Sequence, residues 1–353
     1  MVSENDVLAA LSRVVDPDLK MDIVRLRMVK DVKVEGDKVF FTLELTTPAC
    51  PYNQQLQDEA RAAVASIKGV RDVEMKVSSR VWSAKPSAEG FENIRNVVAV
   101  ASGKGGVGKS TVAVNLALAL LRSGARVGLV DADIYGPTIP KILKIASIPG
   151  KGSEGRILPA RSVHGLSVVS MGLFMQDDSP VIWRGPLVAS AVKQLITEID
   201  WGELDYLVVD LPPGTGDASL TLAQTIPLSG VVIVTTPQEA AATIAAKALR
   251  MFRRLGIPIL GIVENMSYFI CPHCGGRSEI FGESVVENMA AVHETTVLAR
   301  LPLIPEIGLH HDRGDPIVYS MPDSVPARLF MELAGRVAAR ISVLAHSEVA
   351  GGR

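Results

Sequence analysis

Gly103-Lys104-Gly105-Gly106-Val107-Gly108-Lys109-Ser110-Thr111 sets a glycine, four free positions and then Gly-Lys-Ser, the spacing of a phosphate-binding loop. Its flanks supply the context that such a loop requires. Val97-Val98-Ala99-Val100-Ala101 before it reads as a buried strand, and Val112 to Leu121 after it reads as a buried helix. Glycines let consecutive backbone N–H groups converge on an anion without Cβ obstruction, and the positive end of the helix points at the same anion. The pattern puts Lys109 on the β- and γ-phosphates and the Ser110 hydroxyl on Mg²⁺. Outward from this unit, apolar strands alternate with helices. Candidate strands are Val97–Ala101, Arg126–Val130, Leu166–Ser170, Tyr206–Val209, Val231–Thr235, Ile259–Val263 and Thr296–Leu301. Their nearly continuous Val, Ile and Leu content predicts an α/β fold, a doubly wound, mostly parallel sheet with helices on both faces.

Two acidic segments follow apolar strands. Asp131-Ala132-Asp133-Ile134-Tyr135-Gly136-Pro137 comes after Leu129-Val130. Carboxylates at a strand's C-terminal edge can orient water and the aqueous shell of magnesium; helix-capping carboxylates in a turn look the same in sequence. Asp210-Leu211-Pro212-Pro213-Gly214 comes after Tyr206-Leu207-Val208-Val209. A strand ending in aspartate beside a phosphate loop holds Mg²⁺ through its waters, and the Pro-Pro-Gly turn offers the Gly214 N–H as a γ-phosphate sensor. Glu264-Asn265-Met266-Ser267 closes another strand. An asparagine here either pairs with a purine edge or turns the chain.

Cys271-Pro272-His273-Cys274-Gly275-Gly276 is a second decisive segment. Two thiols three positions apart form a knuckle that grips one edge of a metal site. A closed site needs four ligands, and no second such pair exists in the chain. Cys50 with another group, His273, or the same knuckle from a second copy across a two-fold axis are the three completions; the dimer is the simplest count. Zinc and an iron–sulfur cluster both suit four sulfurs. A redox pair is disfavoured because Gly-Gly, not a helix, follows the second thiol.

The chain has 353 residues, 48% hydrophobic and 21% charged, with net charge −2. These values predict a sizeable core, one large or two unequal domains, and no bulk electrostatic attraction to nucleic acid. The acidic opening Met-Val-Ser-Glu-Asn-Asp is unlike a signal or transit peptide. Ala218–Gln238, the longest uncharged run, is broken by Pro227, Ser229 and Gly230, and reads as helix, turn and strand rather than a membrane span. Three cysteines are too few for a disulfide scaffold and suit a reducing cytoplasm.

Residues 1–82 read as a small α+β domain: a helix over Asn5–Val14, a hairpin of Val29–Val34 and Val39–Leu45 around Gly36-Asp37, a helix over Pro51–Ile67, and a strand over Val70–Val77. Cys50 precedes a helix N-terminus, where the dipole favours the thiolate; it is either a cluster-handling or partner-facing thiol or a small buried residue. Residues 83–94 form a polar linker, and 95–353 form the nucleotide-binding domain. Its final helix, Val325 to about Leu344, is amphipathic and reads as packed on the sheet.

Lys104, which a generic phosphate loop does not need, makes "GKGGVGKST" resemble the deviant Walker A motif of the SIMIBI ATPases. That resemblance implies that Lys104 reaches across a dimer interface to the partner's nucleotide. Val15-Asp16-Pro17-Asp18, Thr46-Thr47-Pro48-Ala49-Cys50-Pro51 and Gly69-Val70 resemble the PaaD-like/SufT-like iron–sulfur assembly domain, with a departure at Arg25-Leu26-Arg27-Met28. The loop, "DADIYGP", "DLPPGTGD" and "ENMSYFICPHCG" leading to Ile280-Phe281-Gly282, with Trp183-Arg184-Gly185-Pro186 and Val234-Thr235-Thr236-Pro237-Gln238, resemble the Mrp/ApbC family of P-loop iron–sulfur cluster carriers over nearly the whole chain. One departure follows Gly282, where Glu283-Ser284-Val285-Val286 replaces the glycine run that the family often has.

The resemblance implies an ATP-hydrolysing, Mg²⁺-dependent homodimer in the cytoplasm. It implies a [4Fe-4S] cluster bridged by Cys271 and Cys274 of each subunit and passed to apo iron–sulfur proteins, with cluster assembly factors as further partners and neither nucleic acid nor membrane. It assigns Asp131 to positioning the attacking water with Asp133 in support, Lys104 and Lys109 to catalysis, Gly103–Thr111 to phosphate binding, Ser110 and Asp210 to Mg²⁺, and Asn265 to adenine. A partition or positioning ATPase of the ParA/MinD type shares the loop and both acidic segments but needs no cysteine pair.

Overall fold

The computed structural model describes residues 2–86, 88–145, 150–152, 156–174 and 185–351; Trp183 and Arg184 lie outside them. The chain divides into two compact units, Met1–Ala84 with Ala338–Arg353, and Lys85–Val337. The last residues thus pack with the N-terminal unit, whereas the sequence reading keeps 95–353 together.

In the smaller unit, α1 (Glu4–Leu11) starts on a capping box in which Ser3 and Asp6 satisfy each other's backbone N–H. It leads to the short antiparallel pair β1 (Val15–Asp16) and β2 (Met21–Asp22). Next come β3 (Val29–Glu35) and β4 (Lys38–Leu45), an antiparallel hairpin turning at Gly36 with φ 66°. Then α2 (Asn53–Ala65) crosses over to β5 (Asp72–Ser79), which pairs parallel with β4. Period-two alternation buries Val39, Phe41, Leu43 and Leu45, and these pack in one cluster with Leu56, Ala60 and Val64 of α2.

The larger unit begins with β6 (Ile94–Ser102), α3 (Lys109–Arg122), β7 (Val127–Asp131), α4 (Ile139–Ile142), β8 (Ala160–Arg161) and β9 (Ser167–Ser170). It continues through α5 (Gly185–Glu198), β10 (Leu204–Asp210), α6 (Asp217–Thr225), β11 (Gly230–Thr235), α7 (Glu239–Arg254) and β12 (Ile259–Glu264). The hairpin β13 (Phe269–Ile270) and β14 (Arg277–Ser278), then α8 (Val286–Val292), β15 (Val297–Arg300), α9 (Pro305–Arg313), α10 (Ile317–Ser320) and the start of α11 (Val325–Gly351) complete it; from Ala338 onward α11 belongs to the smaller unit. The sheet order is β15-β12-β11-β6-β10-β7-β9-β8. Every pairing is parallel except β8 with β9. All seven candidate strands are present. The edge strand β8 escaped the sequence reading because its two residues carry no periodic signal.

Burial on both faces explains the apolar strands: all of β7, β9, β10 and β11 is buried. Along α11, Phe330, Leu333, Val337, Ile341 and Ala345 recur at helical spacing and are buried. No helix among the described residues is long and apolar enough to cross a membrane.

Candidate functional site

β6 sits in the middle of the sheet, and its C-terminal end feeds the loop 103–108 into α3. Gly106 and Gly108 have φ 78° and 81°, a region that L side chains avoid. Gly103 is needed for another reason: a Cβ there would lie 2.6 Å from the backbone carbon of Ile244 in α7. Val107 is buried under the loop, and Gly105 is exposed. Lys104 is half-buried, and its carbonyl accepts the Ser102 hydroxyl at 3.0 Å. Thr111 lies in the first turn of α3, where its carbonyl accepts from Asn115 Nδ2.

The two acidic segments converge on this loop. Asp131 and Asp210 end adjacent parallel strands as direct register partners. Lys109 Nζ lies 2.7 Å from Asp210 Oδ1 and 3.8 Å from Asp133 Oδ2. Ser110 Oγ donates to Asp210 Oδ2 at 2.5 Å. Burial pushes Asp210 above the ordinary carboxylate range, with Lys109 opposing. Burial, and secondarily Asp210, push Asp131 up to about 7.

Asp131 also fastens its own segment. Its Oδ1 accepts the Asp133 N–H, and its Oδ2 accepts the Ile139 N–H and the Ser170 hydroxyl. Ser170, at the end of β9, is a positioning residue that sequence reading did not single out; a lone serine after Val-Val carries no signal. The Gly214 N–H, expected to face a γ-phosphate, donates instead to Ser102 O at 2.8 Å. A turn with φ 90° at Gly214 directs that N–H back at the end of β6.

Asn265 follows β12. Its Nδ2 donates to Val107 O at 2.8 Å, and its backbone N–H donates to Thr235 O. The asparagine therefore touches the phosphate loop itself, an attachment that sequence alone did not reveal. Glu264, the neighbouring residue, is fully buried; sequence reading quoted it without a role.

Asn265 stands six residues before Cys271. β13 and β14 pair antiparallel and carry the knuckle at their tip. Cys271 N–H donates to Gly276 O and Gly275 N–H to Cys271 O, which closes the turn. Cys271 is half-buried and Cys274 exposed. The N–H groups of His273 and Cys274 bond to the Cys271 sulfur and hold its thiol below the usual range. Among the described residues, no group of three or more His, Cys, Asp or Glu side chains is arranged to hold a metal ion. Cys50 belongs to the other unit. Ile280 and Phe281, which follow the hairpin, are 50% and 37% exposed.

In the small unit, Asp16, Asp18, Thr46, Thr47 and Cys50 surround one small cavity, whose wall Ala339 and Ser342 complete. The expected thiolate at Cys50 does not form. Burial pushes the thiol up to about 11, and Asp16 and Asp18 add to the shift against the opposing Tyr52 N–H. The helix α2 starts only at Asn53, and the dipole fades within a turn, so desolvation wins.

Two family models match the chain: NUBPL iron-transfer P-loop NTPase over residues 93–338 and iron-sulfur cluster assembly protein over residues 4–77. The iron-sulfur cluster carrier protein of Synechocystis sp. is 44% identical over 353 residues, covering 98% of this chain and 99% of that protein. The Escherichia coli K12 protein of the same description is 40% identical, covering 95% and 91%. Among solved structures, a nucleotide-binding protein of Archaeoglobus fulgidus in complex with ADP superposes with TM-score 0.58 at 38% identity, over 64% of this chain and 89% of that one. The cell division ATPase MinD of Pyrococcus furiosus, at 23% identity and TM-score 0.53 over 69% and 98%, shares the fold.

Proposed function

The chain belongs to the NUBPL iron-transfer P-loop NTPase family, and from that premise we propose that it is an ATP-hydrolysing carrier of a [4Fe-4S] cluster, held between two copies and passed to apo iron–sulfur proteins. One observation carries this reading. An assembled phosphate-loop site stands on the same polypeptide as a thiol pair to which no third ligand is added among the described residues. Two knuckles supply four thiolates, the number that a cluster needs. The partly exposed Ile280 and Phe281 beside each knuckle suit burial against a second copy.

In this reading, the N–H groups of the loop from Gly103 to Ser110 cradle the phosphates, while Lys109 exchanges Asp210 for phosphate oxygens. The hydroxyl of Ser110 and the carboxylate of Asp210 are adjacent hard oxygen donors, a set that fits Mg²⁺. The ion would neutralise charge on the β- and γ-phosphates. Lys104 reaches the partner's nucleotide. Asp131 orients the attacking water with a lone pair not used by its switch turn, and Asp133 supports it from beside Lys109. Asn265, tied to Val107, offers the rest of its amide to adenine. Reduced thiols at Cys271 and Cys274 suit the cytoplasm.

The test is anaerobic reconstitution with iron and sulfide, followed by metal and sulfide analysis. Wild type should hold four irons per dimer. Cys271→Ala and Cys274→Ala should each lose the cluster yet bind nucleotide as before. Retention of cluster by both variants would falsify the role of the pair, and zinc in place of iron and sulfide would make it a structural staple.

A further inference from the structure

Glu264 is a buried carboxylate at 0% exposure that neither the nucleotide site nor the thiol pair uses directly. An unneeded buried charge is costly, and an apolar side chain of similar volume commonly serves packing as well. Its partners are specific. Oε1 accepts the Ser267 hydroxyl, Oε2 accepts the Ser284 hydroxyl at 2.5 Å, and Arg300 Nε lies 3.9 Å from Oε2. Arg300 in turn reaches Glu287 of α8 at 3.1 Å.

Ser267 and Ser284 are the two stems of one excursion. The chain leaves β12, passes Ser267, forms the hairpin bearing Cys271 and Cys274, and returns through Ser284 into α8. Ser284 Oγ also accepts the Val286 N–H at 3.1 Å, so the returning stem is fixed to the start of that helix. Glu264 therefore pins both ends of the cysteine-bearing excursion. The next residue, Asn265, is bonded to the phosphate loop through Val107 O. Between Asn265 and the hairpin, Ser267 N–H donates to Leu301 O and Leu303 N–H to Tyr268 O. The connection is thus hydrogen-bonded along its length rather than slack.

We propose that Glu264 is a positioning residue whose hydroxyl clamp on Ser267 and Ser284 transmits the nucleotide state of the phosphate loop to the Cys271/Cys274 pair. The proposal rests on the carrier reading above, in that both sites must be used. A shift of Val107 on nucleotide binding moves Asn265, and with it the backbone on which Glu264 holds both stems. Without the Ser284 hydroxyl the second stem would be free of that motion.

The experiment measures iodoacetamide labelling of Cys271 and Cys274 by peptide-resolved mass spectrometry in the full chain, with and without a non-hydrolysable ATP analogue and Mg²⁺. In wild type the analogue should change the labelling rate roughly fivefold or more, the lower range of site-to-site coupling. Ser284→Ala should bind the analogue with unchanged affinity and lose most of that change. Ser284→Thr, which keeps the hydroxyl, should restore it, and Glu264→Gln should weaken it. Equal nucleotide effects in wild type and Ser284→Ala overturn the clamp. A wild type that binds cluster and nucleotide but shows no nucleotide effect on its thiols overturns the coupling while leaving the carrier reading intact. Failure of wild type to bind cluster overturns the carrier reading instead.

Discussion

His311 illustrates how a single buried side chain sets a pH response. Its Nε2 lies 3.1 Å from Asn115 Nδ2 of α3, an arrangement that requires the neutral ring as acceptor. Burial depresses it from 6.5 to about 4. Because the folded value lies below the unfolded one, its contribution is complete above about pH 6.5 and is lost as pH falls towards 4. The integrated effect is about 3 kcal/mol. Thermal unfolding from pH 8 to 4 should show His311→Gln losing less stability on the acid side than wild type; parallel curves would assign the acid loss elsewhere. A sequence shows adjacent histidines at 310 and 311 but not which one the fold encloses. The same holds for Cys50, whose cavity depends on residues almost three hundred positions later. The meeting of Lys109, Ser110 and Asp210 was legible because it follows from a local motif and a strand ending. The acceptor for Gly214 N–H and the clamp around Glu264 were not, because they depend on how separate loops are laid side by side.

At the scale of elements, the close approach of α7 to the phosphate loop is a constraint set by backbone. Gly103→Ala would drive a methyl group into the Ile244 backbone, and backbone cannot rotate aside as a side chain does. Overpacking of this kind costs about 1–3 kcal/mol. The variant should lower Tm and weaken nucleotide binding together, as calorimetry and titration would show. Gly105→Ala, with nothing within 4 Å of its added Cβ, should leave Tm nearly unchanged. The strands were readable because burial on both faces demands uninterrupted apolar runs. Helix ends were less so. The reading carried α1 to Val14, but it stops at Leu11, with Ser12 capping Leu8 O and Ala10 O. It stopped α11 near Leu344, whereas the helix runs to Gly351 because no breaker precedes Gly351-Gly352.

For the whole molecule, the assignment of Ala338–Arg353 to the unit of Met1–Ala84 makes a distinct prediction. Ala338, Ile341 and Ala345 are buried, and Ala339 and Ser342 wall the Cys50 cavity. With Cys50 at about 11, only about one thiol in a thousand is ionised at pH 8. Deleting residues 338–353 should expose the thiol and speed its alkylation at pH 8, while nucleotide binding by the larger unit persists. An unchanged labelling rate would show that these residues do not shield it.

The discontinuous make-up of that small unit also bears on biosynthesis. Residues 1–84 are made before the larger unit, but the helical turns that seal their cavity emerge only after all of Lys85–Val337 has been made. Nascent chains generally fold from the front; here the front must wait, half-finished, until the rear arrives. The thiol at Cys50 would therefore be most open to oxidants during translation, before residues 338–353 have emerged to close its cavity.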